Sequence, residues 1–372
     1  MQPYRPDRVI VESGAEGSAI FDNLRSALPD VPFVTVPDPQ RYWAERDGAA
    51  DPISRGKRDL LLMRHKGRFL KACPGSDGQV CCNYFIINFA SNCPMDCSYC
   101  YLQDYLAENP ALKVFSNVDD LLTETRDLLA KHRGFLFRIG TGEITDSLAL
   151  EPLIGFAAAT VPFFAEQPNA LLELKTKSSH VDSLLGLDPK ERVVVSWSMN
   201  PQAVIDADED LTASLEERLD AAYRCQQAGY KLGFHFDPMV EYPGWEEDYR
   251  DLLHQIFTRL DHRRMAWTSM GVLRTTPSLK RVMRQRFPAT RILSGEQVPC
   301  PDGKMRYFQP LRVAMYRKMR QWIREAAPLV PIYLCMETRE VWDQVFGYFP
   351  SCGKELGNEL VGAETVNGDA RG

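Results

Sequence analysis

No run of apolar residues in this sequence is long enough to cross a bilayer. The longest apolar-rich stretch, residues 153–165, is broken by Pro162 and falls short of the roughly 20 residues a membrane helix needs. The first eight residues are polar and lack the apolar core of a secretory leader. No internal repeat or low-complexity tract stands out. Charge of one sign does not dominate either: 44 Lys and Arg stand against 50 Asp and Glu, a net charge of −6. Ten cysteines are present, but they are not spread as a disulfide framework. Cys73, Cys81, Cys82, Cys93, Cys97 and Cys100 crowd into one segment, and Cys225, Cys300, Cys335 and Cys352 are scattered. Clustered thiols in a chain of 372 residues point to metal and a reducing compartment. A cytoplasmic monomer with no membrane association is expected.

The modest net charge hides two basic runs. Residues 274–324 hold thirteen Lys or Arg against Glu296 and Asp302, and residues 55–71 hold seven against Asp59. Local sign matters more than net sign for binding phosphates. Solvated helix faces are the plain alternative.

Residues 8–37 read as strand, helix and strand, with Ser18 placed to cap the helix. Residues 38–54, rich in Pro, Asp and Ala, read as a linker, and 59–64 as another short strand. From residue 84 the pattern alternates. Strands are expected at 84–89, 135–139, 171–174, 193–197, 231–236 and 267–272. Helical spacing marks 118–131, 148–160, 181–185, 211–228 and 246–261. Six such units argue for an α/β fold, a parallel sheet curled into a partial (β/α)6 barrel. Its chemistry should collect at the C-terminal ends of the strands. The expected division is 1–75, a small N-terminal α/β element and basic linker; 76–275, the partial barrel; and 276–372, a basic C-terminal extension whose last dozen residues fray.

Cys93-Pro-Met-Asp-Cys97-Ser-Tyr-Cys100 follows the first barrel strand. Four thiolates would close a zinc site or fully ligate a cluster. Three in one loop suit a [4Fe-4S] cluster with one iron left open; a zinc knuckle completed from afar, or a disulfide with a spare thiol, are the alternatives. Gly140-Thr141-Gly142-Glu143 follows the second strand, where glycines admit a ligand to the backbone and a carboxylate can hold an ammonium group. A tight turn with a solvated Glu is the competing reading.

The three-cysteine loop resembles that of radical S-adenosylmethionine enzymes. The resemblance implies a [4Fe-4S] cluster on Cys93, Cys97 and Cys100, with S-adenosyl-L-methionine on the open iron and its amine at the Gly140–Glu143 element. The run Cys97-Ser-Tyr-Cys100-Tyr-Leu-Gln103 is similar to that of the spore photoproduct lyase family. Asn117-Val-Asp-Asp-Leu121, Ser198-Met-Asn200 and Gly244-Trp-Glu-Glu-Asp-Tyr249 are similar as well. That resemblance implies hydrogen abstraction by a 5′-deoxyadenosyl radical and carbon–carbon cleavage of a damaged pyrimidine in DNA. It implies an electron donor such as flavodoxin or ferredoxin. Tyr99 and Tyr101 match the radical-relaying tyrosines, and Lys177, Ser198 and Asn200 match the region that contacts the cofactor. A basic aromatic hairpin is implied near Asp302-Gly-Lys-Met-Arg-Tyr307, with Arg306 on a phosphate and Tyr307 stacked on a base.

One position departs from the family. Glu143 stands in the segment where the lyase carries its hydrogen-donating cysteine, and a carboxylate has no weak X–H bond to give a carbon radical. Cys81, Cys82 and Cys335 are the alternative donors; otherwise the same chemistry serves a different nucleic acid, peptide or small molecule. Cys73, Cys81 and Cys82 also raise a second metal site, with Cys300 or Cys352 as fourth ligand.

Overall fold

The computed structural model describes residues 1–45, 51–76, 78–350 and 353–362. Eight strands form one curled sheet whose spatial order is the order of the chain. They are β1 (Leu70–Ala72), β2 (Tyr84–Ile87), β3 (Phe137–Gly140), β4 (Ala170–Thr176), β5 (Val193–Ser198), β6 (Lys231–Met239), β7 (Met265–Val272) and β8 (Ile332–Leu334). From β2 to β8 the neighbours are parallel, and β1 runs antiparallel along the outer edge of β2. Repeated strand–helix–strand crossovers of one hand give this order. The edges β1 and β8 do not pair, so the sheet is a partial barrel. The six expected strands are β2 to β7; the three-residue β1 and β8 flank them.

Strands β5 and β7 are buried along their whole length, as parallel strands covered on both faces must be. Helices Val118–Lys131, Leu215–Gln227 and Trp245–Arg259 sit at or near their expected positions. The second starts in a capping box, with Ser214 bonded to the Glu217 N–H and the Glu217 carboxylate bonded back. The expected helix over 148–160 is two pieces, Glu151–Ile154 and Phe156–Ala165, broken at Gly155 in the left-handed region.

Inside the barrel, one hydrogen-bonded chain ties six strands together. Arg138 of β3 bonds Glu173 of β4 at 2.9 Å and Tyr333 of β8 at 2.8 Å. Glu173 also accepts from Ser196 of β5 at 2.7 Å and His235 of β6 at 2.6 Å, and His235 reaches Ser269 of β7 at 2.6 Å. Burial lowers His235 to about 4, against the pull of Glu173. Burial opposes the Glu173 charge, but Arg138 and His235 hold it well below the usual carboxylate range.

A second sheet holds Phe33–Val36, Arg8–Glu12, Asp59–Met63 and Leu112–Phe115 in parallel, with Ala90–Ser91 antiparallel at the edge. Ser18 caps its helix as expected, accepting from the Phe21 N–H at 3.2 Å. Leu112–Phe115 was not expected. It means the chain leaves β2, joins the edge of the N-terminal sheet at Ala90–Ser91, makes the cysteine loop, comes back into the same sheet at Leu112–Phe115 and returns through helix Val118–Lys131. The loop is thereby held between two paired strands of the N-terminal sheet. The expected linker contains two short helices, Pro39–Ala44 and Pro52–Gly56; residues 46–50 of it, and 363–372 of the expected tail, lie outside the described residues. No helix of the described residues is long and apolar enough to cross a membrane.

Candidate active site

Most of the groups that hold the cysteine loop come from somewhere distant in sequence. Asp96–Cys97 pairs antiparallel with Glu209–Asp210. Asp96 is clamped by Lys57 at 2.6 Å and by Arg286 at 2.9 Å. The Ser98 hydroxyl donates to Asp208 at 2.5 Å, and the Gln103 amide donates to the carbonyls of Cys97 and Ser98 at 3.1 and 2.9 Å. The short helix Leu102–Tyr105 is anchored through Asp104, which accepts from Thr276 and Ser278, both at 2.7 Å. Burial pushes the Cys93 thiol up to about 12 and Cys97 well above its usual value, and the thiols feel one another's charge. An iron in place of the proton would relieve that cost. Among the described residues no three His, Cys, Asp or Glu converge on a single-ion position. Three thiolates on three different irons of a cluster need not do so, and the donor set fits such a group.

Beneath the loop lies a buried acid that the sequence did not single out. Glu209 is bound by Arg218 at 2.5 Å, by Asn200 at 2.8 Å and by the Tyr99 hydroxyl. Burial opposes its charge, but Arg218 and then Lys177 hold it at about 2. Asn200 is committed on both sides, since its carbonyl oxygen also accepts from Tyr249 at 2.8 Å. Tyr99 is therefore tied down, and the Lys177 ammonium lies 5.7 Å from its ring centroid. An arginine on the apolar face of helix Leu215–Gln227, beside Leu215 and Leu219, was the available signal for this pair.

Across the mouth, the loop after β3 is pinned by Asp146. Its carboxylate accepts from the N–H groups of Leu148, Ala149 and Lys177 and from the Thr176 hydroxyl, at 2.6–3.0 Å. Thr141 bonds Ser147 at 2.7 Å. The two glycines are explained by the protein itself. A Cβ on Gly140 would meet the Tyr84 hydroxyl at 1.4 Å, and one on Gly142 the Lys175 carbonyl at 2.9 Å. Glu143 differs from its neighbours: its carboxylate makes no hydrogen bond or ion pair among the described residues, and burial raises it. The Tyr101 hydroxyl donates to the Glu143 carbonyl at 2.6 Å, and this ring is 45% exposed. Cys73 lies close by; burial first, then Glu143 and Cys81, raise its thiol. Cys82 and Cys335 sit deeper, raised by burial to about 11 and 12, and Cys81 is exposed. Cys352 lies outside the described residues. Ser198 is buried at the end of β5, and its carbonyl accepts from Arg218 at 2.9 Å.

The hairpin forms as expected, between Gln297–Pro299 and Met305–Tyr307, but its two candidate side chains point inward. Arg306 is 1% exposed and held by Asp302 in two bonds at 2.7 Å. Tyr307 is fully buried, with its oxygen accepting from the Glu241 N–H at 3.2 Å. Neither is available to a phosphate or a base. Part of the basic run is consumed in ion pairs as well: Arg274 pairs with Asp237, Arg286 with Asp51 and Asp96, Arg312 with Glu337 and Lys318 with Glu246. Lys280, Arg281 and Arg284, on helix Pro277–Arg286, and the nearby Arg291 have no ion pair among the described residues.

A three-cysteine loop after the first parallel strand of an open barrel, with a carboxylate unpaired among the described residues after the second, is the arrangement of a radical S-adenosylmethionine fold. The spore photoproduct lyase family model matches residues 76–307, more than half of the chain, and the chain belongs to that family. It is 29% identical over 210 residues to a spore photoproduct lyase of a Geobacillus species, covering 56% of this chain and 62% of that one. It is 28% identical over 215 residues to the Bacillus subtilis enzyme, covering 57% and 63%. The matches thus span less than two thirds of these two relatives. A solved spore photoproduct lyase variant with bound S-adenosylmethionine and dinucleoside spore photoproduct superposes with a TM-score of 0.78 at 23% identity, over 90% of this chain and all of that one.

Proposed function

We propose that this chain is a radical S-adenosylmethionine lyase that opens a cross-linked thymine pair in DNA. Cys93, Cys97 and Cys100 would hold a [4Fe-4S] cluster. The observation that carries the reading is the partly buried Glu143 carboxylate, unpaired among the described residues, on the backbone that Tyr101 of the cysteine loop bonds at 2.6 Å; there it would take the cofactor's ammonium group. When bound, cluster and cofactor supply a 5′-deoxyadenosyl radical that takes a hydrogen atom from the substrate. Lys177 and Ser198 would contact the cofactor, while Asn200 and Tyr99 position the loop through Glu209. Lys280, Arg281, Arg284 and Arg291, whose side chains make neither a hydrogen bond nor an ion pair among the described residues, would bind the DNA backbone.

Cys73 is the hydrogen donor in this reading. Its thiol and the Tyr101 hydroxyl are within electrostatic reach of each other and of Glu143: both are raised first by burial, and Glu143 raises each of them further. The S–H bond breaks, the hydrogen atom passes to the substrate-derived carbon radical, and a sulfur-centred radical remains beside Tyr101. Turnover in D2O tests this assignment, since the exchanged thiol deuterium should enter the thymine methyl group. Cys73→Ala should remove that label; retained labelling would return the role to Cys81, Cys82 or Cys335.

A second reading, the same radical chemistry on another substrate, is favoured by the burial of Arg306 and Tyr307. Anaerobic reconstitution with dinucleoside spore photoproduct separates the two. The repair reading expects thymine release. Uncoupled cofactor cleavage with no repaired product would favour the second reading. A cytoplasmic monomer reduced by a flavodoxin or ferredoxin completes the proposal.

A further inference from the structure

A cavity of about 510 Å³ lies between the N-terminal sheet and the loop after β3. Open parallel sheets bind ligands outside the carboxyl ends of their strands, and Glu12, Met63 and Phe115, which close three of these strands, line the cavity. Ile144, the residue after Glu143, lines it from the barrel side.

Three polar side chains in its wall lack partners among the described residues. Lys113 is only 8% exposed, yet its ammonium makes no hydrogen bond or ion pair. Ser91 stands directly opposite Lys113 in the antiparallel register, so both side chains leave the same face of the sheet. The Ser91 hydroxyl is likewise unused, and the buried Asn88 Oδ1 has no partner. The other cations of the wall are neutralised, Arg64 by Asp120 at 2.8 Å and Lys66 by Glu12 at 3.3 Å. Burial lowers Lys113 to about 8. Native interiors seldom leave adjacent buried donors unmatched unless a ligand or water completes them. Met63, Phe115 and Ile144 form the apolar part of the wall; Asp38, Gln40 and His65 also line it, with Asp38 accepting from the Arg41 N–H at 3.0 Å, Gln40 bonded to Asn109 and His65 to the Arg68 carbonyl.

We infer that this cavity binds a small organic anion, its carboxylate or phosphate oxygens taken by the Lys113 ammonium and the Ser91 hydroxyl and its apolar body by Met63, Phe115 and Ile144, while Asn88 Oδ1 accepts from a donor elsewhere on the ligand or from water. The volume suits a molecule of modest size. Through Ile144 the bound molecule steadies the loop that carries Glu143. The site is separate from the thiols and does not depend on the proposed reaction.

Calorimetric titration of the full chain with benzoate, phenyl phosphate and neutral benzamide tests the inference without any activity measurement. Saturable binding of one equivalent of benzoate or phenyl phosphate is expected, and the tighter of the two identifies the head group. Benzamide should bind at least tenfold more weakly. Lys113→Met, which removes an unpaired buried charge, should weaken anion binding at least tenfold with the thermal transition retained. Ser91→Ala should weaken it several-fold and serves alone if Lys113→Met does not fold. Absence of binding by both anions, equal binding of benzamide, or unchanged affinity in the folded variants would overturn the assignment.

Discussion

Around Cys93, Cys97 and Cys100, the side chains of Asp96, Ser98, Tyr99, Gln103 and Asp104 all end in hydrogen bonds or ion pairs. Across the barrel mouth, the Glu143 carboxylate and the Lys175 ammonium make no hydrogen bond or ion pair among the described residues, and Glu143 is one of the charges that raise the Cys73 thiol. The first side is already complete as protein. The second is complete only when something else is present. A cluster needs thiolates held at fixed separations, which argues for the rigid side. A cofactor and a substrate that come and go need groups whose partners they become, which argues for the open one.

Breaking the rigid side should have the largest effects. Cys93→Ala, Cys97→Ala or Cys100→Ala should each abolish cofactor cleavage and the brown cluster absorbance; 5′-deoxyadenosine formed at the normal rate by any of them would remove that cysteine from the ligand set. Glu209→Ala leaves the fully buried Arg218 without its counter-ion. A loss of about 3–5 kcal/mol in denaturant unfolding is expected, the cost of stranding a buried charge. A loss under 1 kcal/mol would mean that the pair does not hold the loop.

Changes on the open side should spare the fold and cost binding. Glu143→Ala should weaken S-adenosylmethionine binding by about ten- to a hundredfold, the range for a hydrogen bond to a charged group, with the cluster absorbance unchanged. The sign of its pH dependence follows from the raised pKa. Burial favours the neutral acid, so the carboxylate is lost at a higher pH than in an exposed Glu, and affinity should fall as pH drops through that raised value. The Glu143→Gln variant should lack this acid limb. Equal acid limbs in the two proteins would assign it to another group.

Smaller effects should come from the outer surface. Arg281→Ala with Arg284→Ala should lower the salt dependence of oligonucleotide binding by roughly two phosphate contacts, a slope change of about 1.4–1.8. Cofactor cleavage without DNA should be unaffected. At Lys113 the folded-state pKa is lowered to about 8. Between that value and the ordinary lysine range the unfolded chain binds the extra proton, so stability should rise with pH in this window. Lys113→Met should lose the rise, as followed by unfolding midpoints.

The sequence made the six barrel strands and the three cysteines legible because both are local patterns. Val193-Val194-Val195 announces a buried strand wherever it stands, and CxxxCxxC requires no distant residue to be read. The errors came where distant residues decide. Counting cations over 274–324 suggested an exposed basic surface, but Asp237, Asp96, Glu337 and Glu246 neutralise part of it from other elements. Arg306 and Tyr307 read as outward because the hairpin turn was visible while the Asp302 clamp and the Glu241 contact were not. Leu112–Phe115 was missed because its four residues alternate nothing. Its pairing with Asp59–Met63 is what makes it a strand. Glu209 carried no local signal at all; its meaning comes from Arg218, Asn200 and Tyr99 together.

The central claim is that the rigid thiol loop and the open Glu143 side together produce a radical that repairs a cross-linked thymine pair. Its most direct test is anaerobic turnover of dinucleoside spore photoproduct carrying deuterium at the carbon that loses hydrogen. Deuterium in 5′-deoxyadenosine together with release of the thymine pair is the expected result. Deuterium-free 5′-deoxyadenosine with unchanged photoproduct, from protein whose cluster is intact, would contradict it.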